Sequence, residues 1–289
     1  MLELSKPSSG GRSVEIRQIY YSDETRLQLD PGFIPLDNRG ERPDWREYWP
    51  IRKFLLGHAL DENTLYGFFS PKFGQKTTLH STAVNAFIAS VQSGADVIAF
   101  SPFFDQSAVY LNTFEQAATN QPGIWPIFEQ SVALIAPGVD PHALPMDSRH
   151  SIFCNYFVAT PAFWRRWLEK CEMLFAIAET GNSALSGQLN APAVYGRGFV
   201  PSKVFIIERV VSLLLAAEPH WRVKQYDPIQ LPMSGSMVSP YPVDLSVLDA
   251  LKTAAIETGR ASYLQIFLQI RETLIQTARR ARNAAAPQA

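Results

Sequence analysis

Between Thr64 and Phe100 the chain sets out a strand, a helix and a second strand in quick succession, and this stretch restricts the fold more than any other. Thr64 to Ser70 (TLYGFFS) is rich in aromatic and apolar residues and runs into Pro71-Lys72-Phe73-Gly74, a turn signal. Ser81 then opens a helix in which Val84, Phe87, Ile88 and Val91 fall at i, i+3, i+4 and i+7, one apolar face. Gly94 ends it, and Val97 to Phe100 (VIAF) is a short unbroken apolar run of the kind buried on both sides. Two such strands joined by a helix through short connections form a parallel crossover, so the expected class is α/β.

The flanking sequence extends that frame. Val14 to Tyr21 (VEIRQIYY) reads as the first strand, and 14–21, 64–70 and 97–100 are expected to be neighbours in one mainly parallel sheet flanked by helices. Residues 23–43 read as a long loop, and Asp44 to Leu56 as a helix that either begins near Pro50 or is kinked there. Ile152 to Ala159 suits a strand, and Thr160-Pro161 an N-cap before a broad apolar face from Phe163 to Phe175. A helix from Ser202 to Leu215, a late strand at 221–226 and helices at 244–258 and 261–282 complete the pattern. With no internal repeat or linker, residues 14–240 are expected to form one domain, with C-terminal helices at 241–283 packed on it. A flexible start at 1–13 and a disordered tail at 284–289 are expected at the ends.

Composition removes several function classes. Basic and acidic residues number 26 and 27, a net charge of -1, so no global field attracts nucleic acid. Cys154 and Cys171 have no metal-ligand spacing and read as buried thiols of a reducing compartment. The five histidines form no zinc pattern, and no phosphate-binding glycine loop or nucleophile elbow is present. No run approaches the roughly 18 apolar residues of a membrane span, and the start carries no signal-peptide core, so a cytoplasmic protein is expected. The basic cluster Arg279, Arg280 and Arg282 either closes a helix, offsetting its dipole, or touches an anionic membrane face.

In an open α/β sheet, ligands gather at the carboxyl ends of the strands. The first strand end offers Tyr20, Tyr21 and Asp23; the second Ser70, Lys72 and Lys76; the third Ser101 and Asp105. An aromatic face for a base, ammonium groups for a diphosphate and a carboxylate for a metal or a sugar hydroxyl together suit a sugar nucleotide. Asp105 is equally placed to cap a helix. Glu208 lies on or beside the apolar stripe made by Val204, Ile207, Val211 and Leu215, and a carboxylate drawn toward a core needs a partner. Either it pairs with Arg52, Arg197 or Arg209, Arg52 being expected first and Arg197 second, or it acts in catalysis at the floor of the crevice.

The block order Ile19-Tyr20-Tyr21, Leu29-Asp30-Pro31-Gly32-Phe33, Glu47-Tyr48-Trp49-Pro50-Ile51-Arg52, Tyr66-Gly67-Phe68-Phe69-Ser70-Pro71-Lys72-Phe73 and Phe100-Ser101-Pro102 with Asp105-Gln106 resembles bacterial glycosyltransferase-like proteins of polysaccharide and O-antigen clusters. Asn155-Tyr156-Phe157-Val158-Ala159 and Glu208-Arg209 resemble their later blocks, and the likeness spans about 14–215. The resemblance implies a GT-A fold, a nucleotide-sugar donor and a glycan or lipid-linked acceptor. It implies a divalent cation, Mg²⁺ or Mn²⁺, at an acidic motif after an internal strand, where this chain has the single carboxylate Asp105. Either Asp105 holds the metal, or Lys72, Lys76 and Arg52 neutralise the leaving group without one. Asp147, in a Pro-rich loop, and Glu208 are then the candidates for the base that takes the acceptor proton.

Overall fold

A computed structural model describes residues 11–196 and 198–285. Most of the expected flexible start, the end of the tail, and Arg197 lie outside the described residues.

The chain opens with β1 (Ser13–Tyr20), α1 (Asp23–Arg26) and β2 (Ile34–Asp37), then a 3-10 turn at Pro43–Trp45, α2 (Tyr48–Gly57) and β3 (Thr64–Phe69). Helices α3 (Phe73–Thr77) and α4 (Ser81–Val91) lead to β4 (Val97–Ala99), and α5 (Phe104–Val109), α6 (Thr113–Asn120) and α7 (Trp125–Ile135) precede β5 (Phe157–Ala159). Then come α8 (Pro161–Thr180), α9 (Ala184–Asn190), a hairpin of β6 (Pro192–Tyr195) and β7 (Gly198–Pro201), α10 (Lys203–Ala217), β8 (Val223–Gln225), α11 (Pro242–Thr258) and α12 (Ala261–Ala285).

Six strands form one sheet in the order β2-β1-β3-β5-β4-β8. Five run in one direction, and β5 runs against both β3 and β4. The expected mainly parallel sheet is present, with one correction: β3 and β4 are not neighbours, because β5 lies between them. Gly67 makes that contact close, since a Cβ there would come within 2.8 Å of Val158 Cγ2. Only the last three residues of the expected 152–159 strand are extended, because Cys154 and Asn155 adopt φ of 61° and 54°, outside any strand. The expected loop at 23–43 contains α1 and the edge strand β2, where Pro35 is tolerated because an edge position leaves one row of hydrogen bonds unused. Pro50 sits in the first turn of α2, where its missing N–H costs nothing. The N-terminus of α4 is capped from outside its own sequence: Asp30 accepts from the Ser81 backbone N at 2.8 Å and from its Oγ at 2.6 Å.

Alternation along the strands fills both faces of the sheet. Ile19, Phe68, Val97 and Phe157 face a core shared with α2, α7, α8 and α10, where Trp164 and Trp167 are fully buried. Leu65, Phe69, Ile98 and Val158 face the smaller core under α3 and α4. A third cluster joins α5 to the C-terminal helices through Phe104, Ala108, Leu245, Leu248 and Phe267. No helix among the described residues is long and apolar enough to cross a membrane.

Candidate functional site

The carboxyl ends of β1 and β3 open onto a cleft of about 170 Å³ walled on the far side by α10. Tyr21 enters it directly after β1. Its backbone is fixed by a capping box in which Thr25 Oγ1 accepts from the N–H groups of Tyr21 and Ser22, each at 2.9 Å. Ser70, Pro71, Lys72 and Lys76 form a ridge after β3. The Ser70 hydroxyl lies 2.6 Å from that of Tyr156, and its carbonyl accepts from Gln18 at 3.2 Å. Lys76 Nζ lies 3.1 Å from Cys154 Sγ, beneath the cleft, whereas Lys72 is exposed at its mouth. Arg46 and Glu47 enter from the turn before α2, and Glu208 from the middle of α10.

Backbone conformation singles out the same place. Of the six non-glycine residues with left-handed φ among those described, Arg46 lines the cleft, Thr78 ends the helix that carries Lys76, and Cys154 and Asn155 form the turn beneath it. Such conformations cost about 1 kcal/mol or more each and concentrate where a structure holds groups in place for a purpose. Asn155 Oδ1 is buried without a hydrogen-bond partner among the described residues, and the buried Tyr21 hydroxyl faces the Glu47 carboxylate.

The cleft disfavours negative charge on its own acids. Burial pushes the Glu208 carboxyl up against the opposing pull of Arg209, and Glu47 adds to the rise. Burial also takes Cys154 up to about 11 and, with the charge of Glu47, moves the Tyr21 phenol well above its ordinary value. Arg46, Lys72 and Lys76 are the cations here, and poorly solvated charges act strongly at short range. Beyond Pro71, which both spaces share, a larger hollow of about 610 Å³ is lined by Gln18, Asp30, Phe73, Gly74, Gln75 and His80 among others.

Tyr21, Ser70, Lys72, Lys76 and Glu208 are thus brought together from three segments. The remaining candidates go elsewhere. Tyr20 is buried beside Arg26 and Arg39, whose guanidinium carbons lie 5.7 and 5.4 Å from its ring centre. Asp23 is exposed and pairs with Arg39 at 2.7 Å. Arg52 does not reach Glu208: it grips Glu172 through two bonds of 2.6 and 2.8 Å. Glu208 is largely buried, as expected, with a third of its side chain open to the cleft (33%); its ion-pair partner among the described residues is Arg209 at 3.7 Å, with Lys76 and Arg46 also facing it, so the expected pairing with Arg52 is corrected. Ser101 is buried and braces the turn before β5, donating to Ser151 O at 2.8 Å and accepting from Phe153 N at 2.9 Å.

Asp105 and Asp147 are structural in their surroundings. Asp105 is 0% exposed, and its oxygens accept from the Ser234 N–H at 2.8 Å and from the hydroxyls of Ser234, Ser236 (2.6 Å) and Ser239 (2.9 Å). It neither caps its helix nor shares a pocket with Lys72 and Lys76. Burial would raise its carboxyl, but the bonds from Ser234 and Ser236 hold it below the usual range. A carboxylate spent on three serines does not fit a divalent cation, and no group of three or more potential acidic, histidine or cysteine ligands occurs among the described residues. Asp147, also 0% exposed, accepts from His150 Nδ1 at 2.7 Å, Arg149 Nε at 2.8 Å and Thr253 Oγ1 at 2.9 Å, fastening α11 to the loop before β5.

Sequence reasoning missed Arg46, Glu47 and Tyr156 as parts of the site. The signal for Glu47 and Tyr156 lay in the Glu47-Tyr48-Trp49-Pro50 and Asn155-Tyr156 blocks, which carried the resemblance without being assigned roles, whereas Arg46 stands just outside the first block. The fold defines its own class, an α/β protein with a six-stranded, mainly parallel sheet and a ligand-sized cleft at its carboxyl edge. No family model, curated protein or solved structure matches the chain.

Proposed function

We propose that the chain is a glycosyltransferase of GT-A type that moves a sugar from a nucleotide-sugar donor to a glycan or lipid-linked saccharide in bacterial polysaccharide or O-antigen assembly. The observation that carries this reading is the meeting, in one cleft at the carboxyl edge of the sheet, of the Lys72 and Lys76 ammonium groups with the Glu208 carboxylate. Phosphoryl oxygens suit the first and an acceptor hydroxyl the second. The block resemblance from 14 to 215 supports the same reading.

In this scheme the nucleoside lies in the larger hollow beyond Pro71, the diphosphate crosses the Ser70–Lys76 ridge, and the sugar enters the smaller cleft against Glu208. On an inverting course, an acceptor oxygen forms a bond to the anomeric carbon as the bond to the diphosphate oxygen breaks. The electron pair leaves with the diphosphate, whose charge Lys72, Lys76 and Arg46 meet, and the hydroxyl proton passes to Glu208. A carboxyl raised by burial is a better base near neutral pH than an ordinary glutamate. The work is assigned to the cytoplasm, at the inner membrane face for a lipid-linked acceptor, where the exposed Arg279, Arg280 and Arg282 of α12 suit anionic headgroups.

A module that binds a glycan or partner enzyme without turnover is the second reading, favoured by the sealed state of Asp105. Incubation with a panel of sugar nucleotides, with and without Mn²⁺, and measurement of released nucleoside diphosphate tests the proposal. Release that is abolished by Lys72→Ala/Lys76→Ala is expected. Binding without release selects the second reading, and no binding at all rejects the first.

A further inference from the structure

We infer that the donor sugar is uncharged, and that Glu47 is the residue that turns away a sugar bearing its own carboxylate. The inference rests on the proposed function and goes further by naming the class of sugar the cleft accepts.

Glu47 and Glu208 line the same space of about 170 Å³, together with Arg46, Lys72 and Lys76, so its walls carry three cations and two carboxylates. The diphosphate of any sugar nucleotide brings about two negative charges, which already outweigh the single net positive charge of the walls. A uronic acid would add a third in a space too small to keep it far from both Glu47 and Glu208. The cations do not relieve it, because in this scheme Lys72 and Lys76 lie along the ridge that the diphosphate crosses and Arg46, beside Glu47, joins them in meeting the diphosphate charge. The raised Glu208 carboxyl points the same way, since burial and the neighbouring Glu47 already resist one negative charge at this spot. A neutral sugar meets the opposite situation, because its hydroxyls donate to carboxylate oxygens and each carboxylate can accept several such bonds.

The placement of Glu47 is specific. It follows Arg46, which holds φ 49° and ψ -132°, a costly backbone turn that brings both residues to the cleft just before α2 begins. It is also the only carboxylate besides Glu208 among the described residues lining the cleft. Like charges placed together in a poorly solvated site discriminate by several kcal/mol between ligands of equal shape.

The test uses matched donors that share a nucleotide and differ in one group, a hydroxymethyl or a carboxylate: UDP-glucose with UDP-glucuronate, dTDP-glucose with dTDP-glucuronate, and GDP-mannose with GDP-mannuronate. Binding to the full chain is read by titration calorimetry and turnover by nucleoside diphosphate release. The neutral member of at least one pair is expected to bind about 100-fold more tightly than its acidic partner, and Glu47→Gln to narrow that gap to about 10-fold or less. Equal binding, or preference for the acidic donor, overturns the inference and leaves the transfer reading standing. Failure of every donor to bind overturns both. A gap unchanged in a folded Glu47→Gln protein removes Glu47 from the role assigned to it. Should that variant not fold, the wild-type comparison alone still decides whether an acidic sugar is excluded.

Discussion

The carboxylates of the cleft and those beneath the C-terminal helices differ in how fully they are satisfied. Asp105 and Asp147 are completely buried and ringed by donors, and both are held below the usual carboxylate range although burial pushes them up. Glu208 has Arg209 at 3.7 Å, keeps a third of its side chain open, and burial drives its carboxyl the other way. The first two are finished parts of the fold, since each lone pair they use fastens a loop or helix. Glu208 retains unused acceptor capacity facing a space of ligand size. Burial alone therefore does not mark a functional carboxylate; burial with unspent hydrogen bonds does.

The sharpest way to break the contrast is Glu208→Gln. If Glu208 is the base, turnover falls by about 10² to 10⁴-fold, because the amide cannot take a proton. Stability should change little, and its sign is fixed by linkage. A glutamate whose folded value is raised gives stability that is full below the ordinary 4.5 and is lost as pH rises through the folded value. Glutamine, which stays neutral, should therefore make the protein no less stable at neutral pH. Activity of the wild type should decline as pH falls through the raised Glu208 value, set by burial and by the facing Arg209, Glu47, Lys76 and Arg46. A variant that loses activity only in proportion to a lower melting temperature would place Glu208 with the structural carboxylates.

The reverse test removes the satisfied ones. Asp147→Ala takes the acceptor from His150 and Thr253, leaves Arg149 with Glu257 alone, and should cost about 3 kcal/mol in urea unfolding. Asp105→Ala leaves three serine hydroxyls and one N–H without their acceptor, at about 2 kcal/mol. Because Asp147 is held low, its contribution is present above the ordinary carboxylate range and is lost as pH falls below about 4, so the gap between wild type and Asp147→Ala should close on acidification. Neither change should alter donor affinity in the folded fraction. A loss of affinity without a loss of stability would return Asp105 to the site.

What the sequence disclosed follows the same division. The strands at 14–21, 64–70 and 97–100 were legible because their patterns are local, but the expected pocket of Tyr20, Lys72, Lys76 and Asp105 was legible only in part: Lys72 and Lys76 line the cleft, Tyr21 takes the place of Tyr20, and Asp105 lies elsewhere. The insertion of β5 was not, because three extended residues carry too little pattern and the left-handed turn at Cys154 and Asn155 has no glycine to announce it. The role of Asp105 was hidden for a different reason. Its partners lie about 130 residues on, in a loop from Ser234 to Ser239 whose serines look like ordinary surface polarity until the fold closes over them. Arg52 was paired wrongly because Glu172 faces it from α8 across a contact that no spacing rule reaches.

The smallest expected effect concerns Lys252, which anchors the same C-terminal helices and sharpens the comparison from the cationic side. It is 0% exposed, and its ammonium donates to the carbonyls of Ser107, Tyr110 (2.8 Å) and Met146 (2.7 Å), the first two at the C-terminal end of α5. A cation suits that end of a helix. Burial nevertheless takes Lys252 down to about 8 from 10.5, against the charges of Asp249, Asp147 and Glu115, while Arg271 adds to the fall. Between those two values the unfolded chain holds more protons than the folded one, so stability from this residue rises with pH, opposite to the loss that buried phenols and thiols give. The difference in unfolding free energy between wild type and Lys252→Met should therefore grow in favour of wild type, by on the order of 1 to 2 kcal/mol, as pH rises through this window. Taking the difference cancels the titration of Tyr48, Tyr156 and Cys154, which both proteins share. A difference that is flat with pH would mean that the three carbonyls offset the burial of the charge, and that Lys252 is as fully satisfied as Asp105. A difference that falls would reverse the assignment and place the strain of this region on Asp249, the carboxylate beside it that burial pushes up.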